Sequence, residues 1–370
     1  MTESNLHRLS ERGQSVWIDS LSRTMLDSGK LEQLMKEDAV VGQTTNPTIF
    51  QKAIAEGDAY DEQLKKLLGT ETDPKEIFLR LSAEDVGRAL ELFAKVHEAN
   101  AQDGFVSWEV DPTLAYDREA TFDEAMRLHK WLDKPNLFVK IPATKPGLGA
   151  IEDCIAHGKS INVTLIFSLQ RYREVVEAYL RGLERLVASG GDPSKVHSVA
   201  SFFVSRVDTE ADKRLEAVGT KEALALRGKL AIANAKLAYE HYQQEFDGAR
   251  WEFLAGKGAT PQRCLWASTS TKNPDYRDVI YVEELIGPDT VNTMPEETIR
   301  AFQDHGEVRG DTVAEDVAAA HALLDQIAKV GVDYADVTET LELEGVQKFA
   351  DSFEELLDGV RAKRGELAAA

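Results

Sequence analysis

The chain has 370 residues, of which 43% are hydrophobic and 29% are charged. This composition is typical of a soluble globular protein, and the length allows one large α/β domain or two smaller ones. The 43 basic and 64 acidic residues give a net charge of -21, which argues against nucleic acid or an anionic membrane as a partner. An anionic substrate would therefore need a local cationic site.

The two cysteines, Cys154 and Cys264, are far apart and match no metal-binding or redox spacing. We interpret both as small buried residues in a reducing compartment. Residues 1–14 lack the apolar segment of a secretory signal, and no apolar run has the length of a membrane span. These features predict a cytoplasmic protein. None of the eight histidines lies at the end of a predicted strand, which disfavours a metal site.

Short apolar segments alternate with segments of helical periodicity along most of the chain. In chain order, strands are predicted at 15–19, 40–46, 105–110, 136–142, 160–167, 197–203, 263–268 and 289–294. Helices are predicted at 31–38, 48–102 with a break near 69–73, 121–132, 149–156, 169–188, 209–246 with a break near 219–220, and 296–304.

Eight strands that alternate with helices predict an α/β fold in the form of a closed (β/α)8 or TIM barrel. The alternative is a doubly wound sheet, which usually has fewer strands and a glycine-rich first turn. No such turn follows Asp19. Residues 311–370 are predicted to be additional C-terminal helices, two helices around a short segment at 334–343, that cover the barrel. The whole chain, 1–370, is therefore predicted to be a single domain.

The fourth predicted strand contains one lysine in an otherwise apolar run. Lys140 shares one face with Phe138, and three branched apolar residues share the other. Loss of hydration in such a run favours the neutral amine, which can attack a carbonyl carbon. The alternative is a strand-end lysine whose ammonium extends to water. For Lys140 considered by itself, this structural alternative is preferred. The polar residues at the other strand ends change the preference to a reactive amine.

Polar residues occur late in seven of the strands and share one face within each strand. In a barrel of this kind, chemistry takes place at the carboxyl ends of the strands, whereas a filled interior carries mostly branched apolar residues. The polar residues are Asp19, Thr44, Asn46, Glu109, Lys140, Asn162, Thr164, Ser201 and Ser268, with Arg206 just beyond the sixth strand.

Each of these residues could also have a purely structural role. The explanations are helix caps for Asp19 and Asn46, a solvated loop acid for Glu109, backbone hydrogen bonds for Asn162 and Thr164, and a surface ion pair with Asp208 or Glu210 for Arg206. Their coincidence around one lysine is not explained in this way. The pattern therefore predicts a catalytic site.

Five segments resemble, in the same order, the signature segments of the transaldolase family. They are VGQTTNPTIF at 41–50, VSWEVD at 106–111, FVKIPAT at 138–144, INVTLIFS at 161–168 and SVASFFVSRVD at 198–208. The likeness runs from about residue 16 to residue 294. The ending GVDYADV at 331–337 is similar to the longer bacterial members, especially actinobacterial ones. The resemblance implies a (β/α)8 barrel that uses a lysine Schiff base, with no metal and no other cofactor.

By this resemblance, Lys140 would form the imine with the ketose carbonyl. Glu109 would act through a bound water as proton shuttle, and Thr164 would help to hold that water. Asp19 would take the proton from the hydroxyl group whose loss cleaves the carbon–carbon bond. The residues implied in binding the dihydroxyacetone unit are Asn46, Asn162 and Ser201, with Phe203 lining the pocket.

The segment after the seventh strand departs from the family pattern. Arg206 matches the family's arginine after the sixth strand, and a guanidinium suits bidentate phosphate binding. Many relatives carry Ser-Phe-Arg after the seventh strand, whereas this chain has ASTSTKN at 267–273. Ser268 carries over by position. Lys272 is the candidate replacement cation, although its spacing differs.

The resemblance implies transfer of a dihydroxyacetone unit, in the pentose phosphate pathway, from sedoheptulose 7-phosphate to glyceraldehyde 3-phosphate, giving erythrose 4-phosphate and fructose 6-phosphate. A sugar-phosphate aldolase of the same superfamily is the alternative. Small aldolase relatives carry tyrosine in place of Phe203 and glutamine in place of Glu109, so these two residues favour transfer. A non-catalytic binding barrel would not need Lys140. The expected partners are sugar phosphates, with no nucleic acid and no membrane, and the expected assembly is a monomer or homodimer.

Overall fold

The computed structural model describes residues 4–55 and 57–369. Within them, eight parallel strands form a closed barrel in which each strand pairs with its neighbours in the chain, and the last pairs with the first. The predicted (β/α)8 barrel is confirmed. The strands are β1 (Gln14–Asp19), β2 (Val40–Thr44), β3 (Val106–Glu109), β4 (Leu137–Pro142), β5 (Ile161–Ile166), β6 (Ser198–Phe203), β7 (Arg263–Ala267) and β8 (Thr290–Met294).

Helices follow the strands, and the long helical segment predicted after β2 is divided into three of them. No helix among the described residues has the length and apolar character that a membrane span needs. The helices are α1 (Asn5–Glu11), α2 (Arg23–Asp27), α3 (Lys30–Glu37), α4 (Pro47–Ala55), α5 (Asp61–Leu68), α6 (Pro74–Ala99), α7 (Arg118–Trp131), α8 (Lys145–Ala156), α9 (Leu169–Ala188), α10 (Ser205–Val218), α11 (Lys221–Leu224), α12 (Leu230–Glu245), α13 (Ala249–Ala255), α14 (Ile280–Glu283), α15 (Glu296–His305), α16 (Val317–Lys329) and α17 (Tyr334–Ala369).

The interior of the barrel is closed by aromatic side chains below the polar strand ends. Phe138 of β4 stacks on Phe105 with ring centroids 4.0 Å apart, and it also contacts Trp17 of β1, with centroids 6.1 Å apart. Trp17 is in register with Gly42 of β2, where a Cβ atom would clash with the indole ring. Glycine at this position therefore lets the indole fill the barrel, so that the polar residues lie above a dry, packed layer.

The prediction for the C-terminal segment was wrong in one respect. Residues 334–343, predicted to separate two helices, form the first turns of α17. The break falls earlier, at Gly331, which follows the end of α16. Its φ of 90° is a left-handed conformation that suits glycine. The Asp333 side chain then accepts a hydrogen bond from the Ala335 amide at 2.9 Å and starts the new helix.

Helix α17 lies at the carboxyl end of the barrel. It contacts α4, α6, α10 and β5, and it contributes residues to the cavity above the strand ends. Its apolar face packs on the barrel helices, where the ring centroids of Phe353 and Phe78 are 5.7 Å apart. The assignment of the whole chain to a single domain stays a prediction.

Candidate active site

A cavity of about 270 Å³ opens at the carboxyl ends of the strands. All the predicted site residues line it except Glu109 and Asn162, which are both paired in the sheet with Lys140 at the base of the cavity. The predicted residues in the lining are Asp19, Asn46, Lys140, Thr164, Ser201, Phe203, Arg206, Ser268 and Lys272. The strand ends therefore bring together residues from β1 to β7, as the barrel requires.

Lys140 is buried at the base of this cavity, with 4% of its surface exposed. Its Nζ donates a hydrogen bond to the Thr45 carbonyl at 3.1 Å and lies 3.3 Å from Glu109 Oε2. Nζ also lies 5.6 Å from the ring centroid of Phe349. The alternative of a lysine that extends to bulk water does not fit these contacts.

Glu109 lies beside Lys140 because β3 and β4 pair these two residues directly. It is buried, so it is not the solvated loop acid of the alternative explanation. Burial raises the pKa of Glu109 to about 7, although the charge of Lys140 opposes this shift. Apart from Lys140 Nζ, which lies 3.3 Å from Oε2, neither carboxyl oxygen has a polar partner within the described residues. A buried carboxyl group that titrates near neutral pH can both give and take a proton.

Asp19 ends β1 on another side of the same cavity. Thr44 donates a hydrogen bond to its Oδ1 at 2.7 Å, and β1 and β2 pair the two residues in register. Burial raises the pKa of Asp19, while the charge of Lys140 and the Thr44 hydrogen bond act in the opposite direction. Ser22, not Asp19, caps the helix that follows. The capping explanation for Asp19 is therefore wrong.

Asn46 does cap its helix, as one of the alternatives predicted. Its Oδ1 accepts a hydrogen bond from the Ile49 amide at 3.0 Å, and this bond fixes the orientation of the side-chain amide. Asn46 also lines the cavity. Asn46 can therefore cap the helix through Oδ1 and still bind a ligand, because its Nδ2 group remains to donate a hydrogen bond.

Thr164 lines the cavity at an irregular point of β5. The pairing of β5 with β6 shifts register between Val163 and Ile166, and Leu165 has a φ of 58°, which is uncommon for a residue other than glycine. Side chains were predicted to alternate regularly between the two faces of this strand as far as Leu165, and a bulge interrupts that alternation. Thr164 Oγ1 is buried without a hydrogen-bond partner in the described part of the chain, so it is free to hold a small polar ligand.

Asn162 is fully buried. Its Oδ1 accepts a hydrogen bond from Ser201 Oγ at 2.7 Å, and its Nδ2 donates to Ser107 Oγ at 2.9 Å. These partners are side chains and not the backbone groups of the alternative explanation. In this arrangement Asn162 orients Ser201, which lines the cavity.

Arg206 lies over Phe203, with its guanidinium carbon 5.2 Å from the ring centroid. Within the described residues no carboxylate forms an ion pair with it. The predicted surface partners are engaged elsewhere, because Asp208 bonds Tyr281 and Glu210 bonds Arg214. Burial lowers the pKa of Arg206, while the charge of Asp19 opposes this shift. An unpaired, partly buried guanidinium is a strong site for an anion.

Lys272 lies in the same cavity wall as Arg206, so the changed spacing after β7 still brings a cation to this place. Its Nζ donates a hydrogen bond to Ser270 Oγ at 2.7 Å. Burial lowers the pKa of Lys272, and the charge of Arg206 lowers it further. Ser268 has a φ of 55°, and its Oγ lies 2.9 Å from Ser205 Oγ. Such a left-handed residue beside a cavity marks a locally strained turn.

Several residues of the cavity wall were not predicted from the sequence. Lys52 follows Thr48 by one helical turn on α4, so helical periodicity was an available signal for this pair. Lys348 and Phe349 of α17 had no local signal, because only the docking of α17 brings them to the strand ends. The other unpredicted polar residues of the lining are Ser270, Thr293 and Glu297. Among the described residues, no group of three histidine, cysteine or acidic side chains is arranged to hold a metal ion.

Comparison with known proteins gives consistent results. A family model described as transaldolase/fructose-6-phosphate aldolase matches residues 16–360. A transaldolase of Mycolicibacterium paratuberculosis is 53% identical over 363 residues, which is 98% of this chain and 97% of the relative. A transaldolase of Thermobifida fusca is 54% identical over 358 residues, 96% of this chain and 97% of the relative. Transaldolase 1 of Streptomyces coelicolor is 53% identical over 360 residues, 97% of this chain and 94% of the relative.

Proposed function

The chain belongs to the transaldolase/fructose-6-phosphate aldolase family, and we propose that it is the transferring enzyme of the pentose phosphate pathway. It moves a dihydroxyacetone unit from sedoheptulose 7-phosphate to glyceraldehyde 3-phosphate, and the products are erythrose 4-phosphate and fructose 6-phosphate. The observation that carries this proposal is the placement of a buried lysine beside two carboxyl groups at the base of an open cavity. Full-length relatives named transaldolase support transfer over simple cleavage.

The first step is imine formation at Lys140. The neutral amine adds to the ketose carbonyl carbon, and loss of water gives the imine. The oxygen that leaves as water needs a proton, and Glu109 is placed to supply it, because its Oε2 lies 3.3 Å from Lys140 Nζ and its pKa is about 7. A water held between the Glu109 carboxyl group and the unpartnered Thr164 Oγ1 would carry this proton.

The second step is cleavage of the carbon–carbon bond. Asp19 takes the proton from the hydroxyl group of the carbon that becomes the new aldehyde. The electron pair of the broken bond moves into the protonated imine, which acts as the electron sink. The resulting carbanion must last until an aldose acceptor arrives. Phe203, which lines the cavity, has no proton to donate, so it favours this survival.

The substrate is held along the cavity wall by polar groups. The Nδ2 of Asn46 and the Oγ of Ser201 are the candidate contacts for the hydroxyl groups of the dihydroxyacetone unit, and Asn162 acts through Ser201. The phosphate binds at Arg206 and Lys272, with the hydroxyl groups of Ser268 and Ser270 beside them. We call this part of the cavity, at Arg206 and Lys272, its mouth. Although the chain has a net charge of -21, two cations without carboxylate partners in the described residues make the mouth locally suited to an anion.

The alternative function is a sugar-phosphate aldolase of the same family, which would protonate the carbanion and release free dihydroxyacetone. Phe203 and Glu109 favour transfer, since the small aldolase relatives carry tyrosine and glutamine at these two positions. We further propose that the protein acts in the cytoplasm as a monomer or homodimer, without a metal or other cofactor.

The test is borohydride reduction in the presence of fructose 6-phosphate, followed by mass mapping of the modified lysine. Label is expected at Lys140 in the wild-type protein and in Lys145→Ala, which removes an exposed lysine at the start of α8. Label is expected to be absent in Lys140→Ala. Reduction of a different lysine at the wild-type rate would contradict the assignment.

A further inference from the structure

Helix α17 supplies a cation to the mouth of the cavity that the steps above do not use. Lys348 lines the same cavity as Arg206 and Lys272, although it lies far from both in the sequence. Within the described residues it has no ion pair with a carboxylate. Its charge acts on Lys272, whose pKa is lowered first by burial and then by the charges of Arg206 and Lys348. The three cations therefore face the same cavity.

The position of Lys348 is fixed on both sides along α17. On the amino-terminal side, Glu342 accepts hydrogen bonds from Arg171 at 3.1 Å and 3.2 Å. On the carboxyl-terminal side, Ser352 Oγ accepts a hydrogen bond from Thr48 at 2.8 Å. These two contacts hold the turns before and after Lys348 to α9 and α4, so the lysine is held over the cavity by the docked helix.

The backbone of α17 also approaches the barrel closely next to Lys348. A Cβ atom at Gly345 would lie 3.2 Å from Leu165 Cδ2, which is tighter than an ordinary contact. Glycine thus allows the helix to lie directly on the bulge of β5. Phe349, the residue after Lys348, is buried with its ring centroid 5.6 Å from Lys140 Nζ. The rotation of the helix about its axis is set by these two contacts.

Arg206, Lys272 and Lys348 lack a carboxylate partner within the described residues, and so does Lys52 of α4 in the same lining. Unpaired cations that share one cavity repel one another. Such an arrangement is stabilised when an anion binds between them, since each ammonium or guanidinium then gains a counter-charge. The carboxylates that also line the cavity are Asp19, which is bonded to Thr44, and Glu297, whose charge raises the pKa of Lys272. Neither forms an ion pair with any of the three cations within the described part of the chain.

We propose that Lys348 is a specificity-determining residue for the phosphate end of the sugar substrate. It holds the phosphate from α17, in addition to Arg206 at the start of α10 and Lys272 after β7, and so couples the docked C-terminal helix to substrate choice. This inference rests on the proposed function, because it assumes that the substrate is a sugar phosphate. Lys348 takes no part in bond making, so its removal weakens phosphate recognition without changing the chemistry at Lys140.

The test compares a phosphorylated ketose with its unphosphorylated form. The wild type, Lys348→Met, Lys348→Arg and the control Lys95→Met are reduced with borohydride over a range of fructose 6-phosphate and, separately, fructose concentrations. Lys95 is a matched control because it is an exposed helical lysine outside the cavity. The concentration for half-maximal labelling of Lys140 is measured for each sugar, and binding of inorganic phosphate is measured by calorimetry.

Lys348→Met is expected to raise the half-maximal concentration of fructose 6-phosphate about threefold to tenfold and to weaken phosphate binding by a similar factor. The value for fructose is expected to stay unchanged, and Lys348→Arg is expected to restore much of the loss. An equal change for both sugars, or no change for either, would overturn the proposal. Absence of Lys140 labelling in the wild type would instead contradict the proposed function, while calorimetry would still show whether phosphate binding depends on Lys348.

Discussion

The base and the mouth of the cavity respond in opposite ways to the same physical cause. At the base, which we define as Lys140, Glu109 and Asp19, burial raises the pKa values of the two carboxyl groups. At the mouth, burial lowers the pKa values of Arg206 and Lys272. Loss of hydration favours the neutral form in both places. At the base this produces groups that exchange protons, whereas at the mouth it leaves cations that are stabilised by an anionic ligand.

The largest effect is expected from removing the nucleophile at the base. Lys140→Ala should lower kcat by about 10⁴-fold or more, because no covalent intermediate can form. The fold should remain, since the truncation opens onto an existing cavity and leaves little strain. Coupled assays of turnover and thermal unfolding followed by circular dichroism measure the two outcomes. A variant that unfolds at room temperature, or that keeps wild-type turnover, would contradict this prediction.

The next effect concerns the proton shuttle. Glu109→Gln should lower kcat about 10²- to 10³-fold with a small change in KM, because it removes proton transfer and keeps the shape of the side chain. The pH dependence of kcat/KM in the wild type should contain an ionisation near pH 7, and the variant should lack it. Stopped-flow measurement of imine formation between pH 5 and pH 9 tests this, and an unchanged pH profile would remove Glu109 from the mechanism.

The same ionisation predicts a change in stability with pH. Glu109 has a raised pKa of about 7 in the folded state, against a usual value of 4.5. Between these values the folded protein keeps a proton that the unfolded chain has lost, so this group makes the free energy of unfolding decrease as pH rises through the window. Glu109→Gln should lack this part of the slope. Urea unfolding at a series of pH values compares the two proteins.

A change at the mouth should affect binding more than chemistry. Arg206→Met should raise KM for fructose 6-phosphate about 10- to 100-fold, because a charged hydrogen-bonding partner of the phosphate is lost. The kcat at saturation should change much less. Steady-state kinetics with a phosphorylated donor separate the two parameters. A fall in kcat with an unchanged KM would show that Arg206 serves the base and not the mouth.

A smaller effect is expected at the cavity wall between the two regions. Phe203→Tyr should increase the release of free dihydroxyacetone from fructose 6-phosphate about tenfold when no acceptor is present, because it places a phenol near the carbanion. The wild type should release it slowly and turn over quickly once erythrose 4-phosphate is added. Release by the wild type at the rate of transfer would favour the aldolase alternative.

The smallest effect is expected from chelation. The proposed steps use a lysine imine in place of a metal ion to polarise the carbonyl, so activity should survive prolonged treatment with EDTA. Assays before and after chelation, with zinc added back, provide the measurement. Loss of activity that zinc restores would show that the base contains a Lewis acid.

The barrel and about half of the cavity lining could be predicted because their signals are local. The predicted strand bounds placed Lys140 and Asp19 near carboxyl ends, and the alternation of side chains gave the face on which each lies. Barrel closure then brings all carboxyl ends together. The same alternation placed Asn162 and Thr164 on one face. It could not show the bulge at Leu165, nor that Asn162 is hydrogen-bonded to the side chains of Ser201 and Ser107.

The contribution of α17 could not be predicted for a different reason. Nothing near Lys348 in the sequence distinguishes it from any other exposed helical lysine. Its position depends on contacts with Arg171 and Thr48, which are distant in the chain. Ser268 is a similar case, because a φ of 55° in a residue other than glycine arises from tertiary contacts and not from local preference.

The position of α17 at the end of the order of elements has a consequence during protein synthesis. Ribosomes release a chain from its amino end, and domains begin to fold as they emerge. All eight strands precede residue 295, so the strands can pair before Tyr334–Ala369 has left the exit tunnel. The nascent chain then contains Lys140 in a pocket that lacks one wall. Competence to discriminate substrates would therefore be acquired in a late maturation step, after the barrel itself has formed.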